Sequence, residues 1–228
     1  IDHPVEMGRF ASATFEACDV THEVAITGVQ RADLKRLCAD LKRICEHQIR
    51  FFGEPAPMRR YVFLIMAVNE GYGGLEHRAS CSLICNRDNL PQVGENKMDN
   101  GYREFLGLCS HEYFHTWHVK RIKPAAFMPY DLQRENYTEL LWAFEGITSY
   151  YDDLILARSG LIAADNYLEL LGRGITRVLR NKGRLQQTLA DSSFYAWTRF
   201  YKPDENTPNA VVSYYGKGAL VALCLDMK

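Results

Sequence analysis

The stretch CSHEYFHTWHVKRIKP, residues 109 to 124, constrains this chain more than any other. It sets His111, Glu112, His115 and His118 within eight positions. On an α-helix, residues four apart are turned by about 40°, so the imidazoles of His111 and His115 leave from one face. Two nitrogens on a rigid face supply two corners of a tetrahedral zinc site. Glu112 projects beside them, placed to take a proton from a metal-bound water. A bare H-E-x-x-H pentapeptide also arises by chance on helices. What decides is a third protein ligand, because a catalytic zinc needs three and an open fourth position.

Glu145, in LLWAFEGITSYYDDL, is the candidate. It follows His115 by enough chain for a loop and a returning helix. Its neighbours Leu140, Leu141, Ala143, Phe144, Ile147 and Tyr151 make that helix apolar on nearly all sides. An ionised carboxylate in such a segment is costly unless it is paired or metal-bound. The other reading of Glu145 is a salt bridge to the basic stretch Lys120–Lys123. His118 lies a turn beyond His115, which suits a supporting or partly buried role better than a ligand role.

The pattern of apolar residues places these motifs in an α+β chain. Residues 7 to 30 read as short strands. Leu34, Leu37, Cys38, Leu41, Ile44, Cys45 and Ile49 then follow helical spacing through Phe52, and Gly53 with Pro55 and Pro57 ends that helix. RYVFLIMAV, residues 60 to 68, is a buried strand. NEGYGGLEHRASCSLI is a glycine-rich turn followed by another strand, and 86–101 is a polar surface loop. Beyond Tyr102 the spacing predicts helices over 103–118, 137–159, 163–181, 185–200 and 209–227. The expectation is one domain over 1–228, with a sheet-containing part over 1–101, a helical part over 102–228 and a cleft where they meet.

Composition narrows the function classes. A net charge of −1 offers no basic field to nucleic acid or anionic lipid, and no apolar run reaches the roughly 18 residues of a membrane span. The seven cysteines (18, 38, 45, 81, 85, 109 and 224) are odd in number and loosely spaced, which suits free thiols in a reducing, cytoplasmic setting. Cys81 and Cys85 lack the further ligands of a structural zinc site. The first residue is Ile1, as in a piece cut from a longer protein, and no signal peptide is visible.

HEYFHTWHVKRIKP followed by FEGITSYYDDLILARSGL resembles the glycyl aminopeptidase family of zinc metallopeptidases, as do DHPVEMGRF near the start and GYGGLEHRAS further on. The resemblance implies a thermolysin-like zincin catalytic domain, with the family's N-terminal β domain and C-terminal PDZ domain outside this chain. It departs at His118, where members commonly carry Asn. It also implies that Glu76, after Gly73 and Gly74, grips the α-amine of a peptide, the glycines letting backbone approach the substrate; otherwise Glu76 is an ordinary edge-strand glutamate. Tyr215, before Lys217 and Gly218, would stabilise the oxyanion, with Tyr214 as the neighbouring choice. Thermolysin places an Asp four residues after its glutamate ligand, where this chain has Ser149, so partners for the zinc histidines are not readable.

The expected activity is removal of small N-terminal residues, glycine or alanine, by one Zn2+ held by His111, His115 and Glu145, with Glu112 as base. The alternatives are an endopeptidase of the same fold and an inert peptide-binding scaffold. The expected partner is a peptide, with neither nucleic acid nor membrane, and oligomeric state is left open.

Overall fold

β1 (Ala11–Ala17) and β2 (Val20–Thr27) form an antiparallel hairpin closed by Cys18 and Asp19, both at positive φ. Two consecutive left-handed residues give a turn whose twist matches the strands it joins. The computed structural model describes residues 3–228, so Asp2 of the DHPVEMGRF stretch lies outside the described residues. α1 (Leu34–Phe52) follows, started by Asp33, whose carboxylate accepts from the Arg36 N–H, and stopped at Gly53 (φ 98°). It carries the chain back so that β3 (Arg60–Val68) lies parallel to β2, as a helical crossover requires.

β4 (Tyr72–Glu76) and β5 (Ser80–Asn86) come next. β5 runs parallel to β3, and β4 returns antiparallel to it at the sheet edge, giving the order β1-β2-β3-β5-β4. The expectation of one strand after the glycine-rich turn thus becomes two, because Tyr72–Glu76 pairs along its whole length with Cys81–Cys85.

The apolar side chains choose one face of this sheet. Tyr61, Phe63, Ile65 and Ala67 alternate inward on β3, in register with the buried Leu83 and Cys85 of β5 and Val24 and Ile26 of β2. α1 adds Leu37, Leu41, Ile44, Cys45 and Ile49, each fully buried. At about 1.5–3 kcal/mol for each large apolar side chain, this ridge is the principal stabilisation of the layer. On the other face Met66 and Ile84 are exposed.

α2 (Asn100–Phe114) is capped by Asp99, which accepts from the Tyr102 N–H, and is buried on nearly every side. Two contacts fix it. Gln48 Nε2 of α1 donates to the carbonyl and hydroxyl oxygens of Ser110 (2.8 and 3.0 Å). Tyr113 bonds to His22 on β2 (2.9 Å). The helix stops at Phe114 rather than at residue 118, because the next residues turn and Lys120 N–H bonds the His115 carbonyl.

Helices dominate the rest of the chain. α3 (Ile147–Arg158) continues from a π-helical turn at Trp142–Gly146. α4 (Ala164–Arg180), α5 (Leu189–Phe194), α6 (Thr207–Ala210) and α7 (Tyr214–Asp226) complete it. Compact packing divides the chain into two units. The first is residues 1–120 with Leu154–Ala163, and the second is Arg121–Asp153 with Ala164–Lys228. Three expected helices are shorter or interrupted. The 137–159 segment becomes helical only at Leu141, after Thr138 Oγ1 has accepted from the Leu140 N–H. The 185–200 segment breaks at Thr188, which forms a capping box with Asp191. In the 209–227 segment, Ser213 accepts from the Gly216 N–H and starts α7 anew. These sequences favour a helix, but local side-chain caps divide it.

Candidate metal centre

In the first unit, α2 brings His111, Glu112 and His115 to its last turn. The two imidazoles stand edge to face with ring centroids 4.7 Å apart. His115 is buried, and its Nδ1–H donates to the backbone carbonyl of His118 (2.8 Å). That bond fixes the tautomer and leaves Nε2 with its lone pair outward, the form of imidazole that binds a metal. Position 118 therefore acts through its backbone oxygen, which any residue supplies, while its ring packs on Phe114. The sequence could not show this, since a carbonyl leaves no mark on residue identity.

The edge strand β4 delivers Glu76. The carboxylates of Glu76 and Glu112 and a ring nitrogen of His115 lie within 4.8 Å of one another. Lys120 Nζ pairs with Glu76 Oε1 at 3.3 Å, both side chains about four-fifths buried. The basic stretch thus spends its first lysine on Glu76. Glu112 itself is buried, with 4% of its surface exposed, and sits against Gly74. Gly73, one residue earlier, has open space at its α-carbon.

The second unit holds the other predicted residues. Glu145 lies in the π-helical turn before α3. Its neighbour Gly146 meets Gly218 of α7 backbone to backbone, so close that a Cβ on Gly146 would fall 2.6 Å from the Gly218 Cα. Only two glycines permit that approach. Glu145 and the start of α7 are thereby held in register. Tyr215 sits in the first turn of α7, its hydroxyl 3.1 Å from that of Tyr201, and the Tyr214 hydroxyl donates to the same Tyr201 oxygen (3.1 Å). Burial first, then the Glu145 carboxylate, push the Tyr215 phenol well above the ordinary range. For Tyr214, burial and the Tyr201 hydrogen bond lead, and Glu145 is a minor influence. Both phenols stay protonated at neutral pH and can donate. Tyr201 was not foreseen; nothing in its local sequence, YKPDEN, separates it from the other twelve tyrosines. Lys217 anchors α7 by donating to the carbonyls of Arg184 and Gln187 (3.1 Å each).

The donor set suits a divalent ion that accepts nitrogen and oxygen ligands, as zinc does. None of the seven cysteines is in a disulfide. An open groove on α4, lined by Glu169, Arg173, Thr176, Arg177 and Arg180 among others, includes none of the predicted residues. No helix among the described residues is long and apolar enough to cross a membrane.

No protein of curated function matches the sequence. A crystal structure of an aminopeptidase N family protein from Idiomarina loihiensis superposes with a TM-score of 0.94 at 50% sequence identity. The match covers 96% of this chain and 37% of that one, so the chain spans little more than a third of the length of that relative. The family model for M61 glycyl aminopeptidases matches residues 104–221, more than half of the sequence and the stretch that holds His111, Glu112, His115, Glu145 and Tyr215. The chain belongs to the M61 glycyl aminopeptidase family.

Proposed function

We propose that this chain is the catalytic domain of a zinc aminopeptidase with a thermolysin-like zincin fold, extending over residues 1–228, which removes small N-terminal residues such as glycine or alanine from peptides. The observation that carries the reading is the grouping of Glu76, Glu112 and His115 within 4.8 Å, which sets a candidate amine-binding carboxylate beside a candidate base. Family membership supports it independently.

In this reading His111, His115 and Glu145 hold one Zn2+, and the ion, when bound, polarises the scissile carbonyl and makes water a nucleophile at neutral pH. The remaining work belongs to side chains. Glu112 Oε accepts the proton of the attacking water and delivers it to the leaving amine. The Tyr215 hydroxyl donates to the oxygen that gains negative charge. Glu76 binds the α-ammonium of the peptide, which fixes the register so that the first peptide bond is the one presented. The Lys120 contact holds the Glu76 carboxylate in place between turnovers.

N-terminal acetylation tests the exopeptidase part. A free Gly- or Ala-initiated peptide is cleaved, and its N-acetylated form is cleaved at least about 100-fold more slowly, as expected when the substrate loses the charged amine that Glu76 is proposed to bind. Glu76→Gln removes most of this discrimination. Equal cleavage of both forms would make the chain an endopeptidase and leave Glu76 as a structural partner of Lys120.

A further inference from the structure

The glycines of YGGLE are not equivalent. At Gly73 a methyl group would meet nothing within 4 Å. At Gly74 the same group would lie 2.2 Å from Glu112 Oε1, 2.5 Å from its Cδ and 2.7 Å from its Cγ. The Glu112 Cγ, Cδ and Oε1 therefore occupy the space that a side chain at position 74 would need. β4 is held at that distance by full pairing with β5, where Gly74 stands opposite Leu83. Glu112 is anchored from the other side by the burial of α2 and by the Gln48 bonds to Ser110, two residues away. Neither backbone is free to retreat.

We propose that Gly74 is a positioning residue for Glu112: its bare α-carbon is the wall against which the carboxylate is set, and its role toward the peptide is secondary. The inference rests on Glu112 being the base. It changes the expected role of the second glycine from admitting substrate backbone to admitting the catalytic carboxylate. Apolar heavy atoms in contact sit about 3.5–4.0 Å apart, so any side chain at 74 drives the carboxylate at least about 1 Å from its place. A shift of that size at a proton-transferring group lowers turnover steeply while leaving substrate affinity in place.

The test is Gly74→Ala in the full chain, examined in four ways. Turnover falls about 100-fold with KM within about threefold. Zinc stoichiometry stays at that of the unaltered protein. The crystal structure of the variant shows the Glu112 carboxylate moved by about 1 Å or more. In thermal unfolding, Gly74→Ala lowers the midpoint by about 2–4 °C, and this loss disappears when Glu112 is already Ala. The last two readings need no catalysis. They keep this inference separate from the identity of the base, which fails if Glu112→Gln still hydrolyses peptides. An unmoved Glu112 carboxylate, loss of the metal, or a rise in KM alone with turnover retained would each overturn the positioning role.

Discussion

At His22 a neutral imidazole is built into the core. Its Nδ1–H donates to the Val20 carbonyl (2.9 Å), so Nε2 accepts from the Tyr113 hydroxyl (2.9 Å). Burial is the main cause that lowers its pKa to about 4, against small opposing effects of the Val20 bond and the Glu16 carboxylate. Glu16 of β1, Tyr61 of β3 and Tyr113 of α2 are the titratable groups that face it. The unfolded chain protonates this ring near 6.5 and the folded one only near 4, so between those values the unfolded state binds more protons and stability rises with pH. The contribution is full above about 6.5 and is lost as pH falls to about 4, roughly 3 kcal/mol in all. Urea unfolding at pH 7 and pH 4 measures it: His22→Gln reduces the loss between the two by about that amount, and an unchanged loss would show that another group is responsible. At this scale the gathering of His111, Glu112 and His115 at one helix end was legible, because residue identity and spacing carry it. The site was not legible where backbone or absence of a side chain does the work, as with the His118 carbonyl and Gly74. The Lys120–Glu76 pair joins residues 44 positions apart, and no local pattern encodes such a partner.

The elements repeat that division. β3 at residues 60–68 and the body of α1 were readable because a continuous apolar run and a three-four spacing have one stable solution each. The late helices were misjudged in extent, because Thr188 with Asp191 and Ser213 compete for backbone N–H groups that a longer helix would use. Pairing of Trp142 N–H with Ser193 Oγ across 51 residues likewise helps place the π-helical turn that carries Glu145. The crossing of that turn with α7 gives a sharp expectation. A Cβ on Gly218 would stand 2.8 Å from the Trp142 carbonyl oxygen and 2.9 Å from the Gly146 Cα, with no side chain able to rotate aside. Gly218→Ala is expected to destabilise by about 1–3 kcal/mol and, if the proposed ligand role of Glu145 holds, to weaken metal binding. Gly172→Ala, in open space on α4, gains about 0.5–1 kcal/mol from helix propensity. Denaturant midpoints with metal titration of both variants check this. Equal behaviour of the two would remove the crossing as a determinant.

For the molecule as a whole, an α+β chain with a sheet-rich first part and a helical remainder was legible from the change in period near Tyr102. Strand order was not, because β2–β3 and β3–β5 are parallel pairs joined through crossovers, and hydropathy does not encode which strands become neighbours. That order is what makes β4 an edge strand and sets Gly74 against Glu112 and Glu76 near His115. The site is thus a product of topology acting on a motif that the sequence already displays. The proposed function requires that metal binding and hydrolysis be separable at one atom of that motif. The most direct measurement is zinc content and cleavage of a free glycyl peptide, determined in parallel for the unaltered chain and for Glu112→Gln. The expected result is one zinc per chain in both, with turnover in the variant lower by about 100- to 10,000-fold. A variant that keeps its zinc and still hydrolyses the peptide at an undiminished rate would contradict the account.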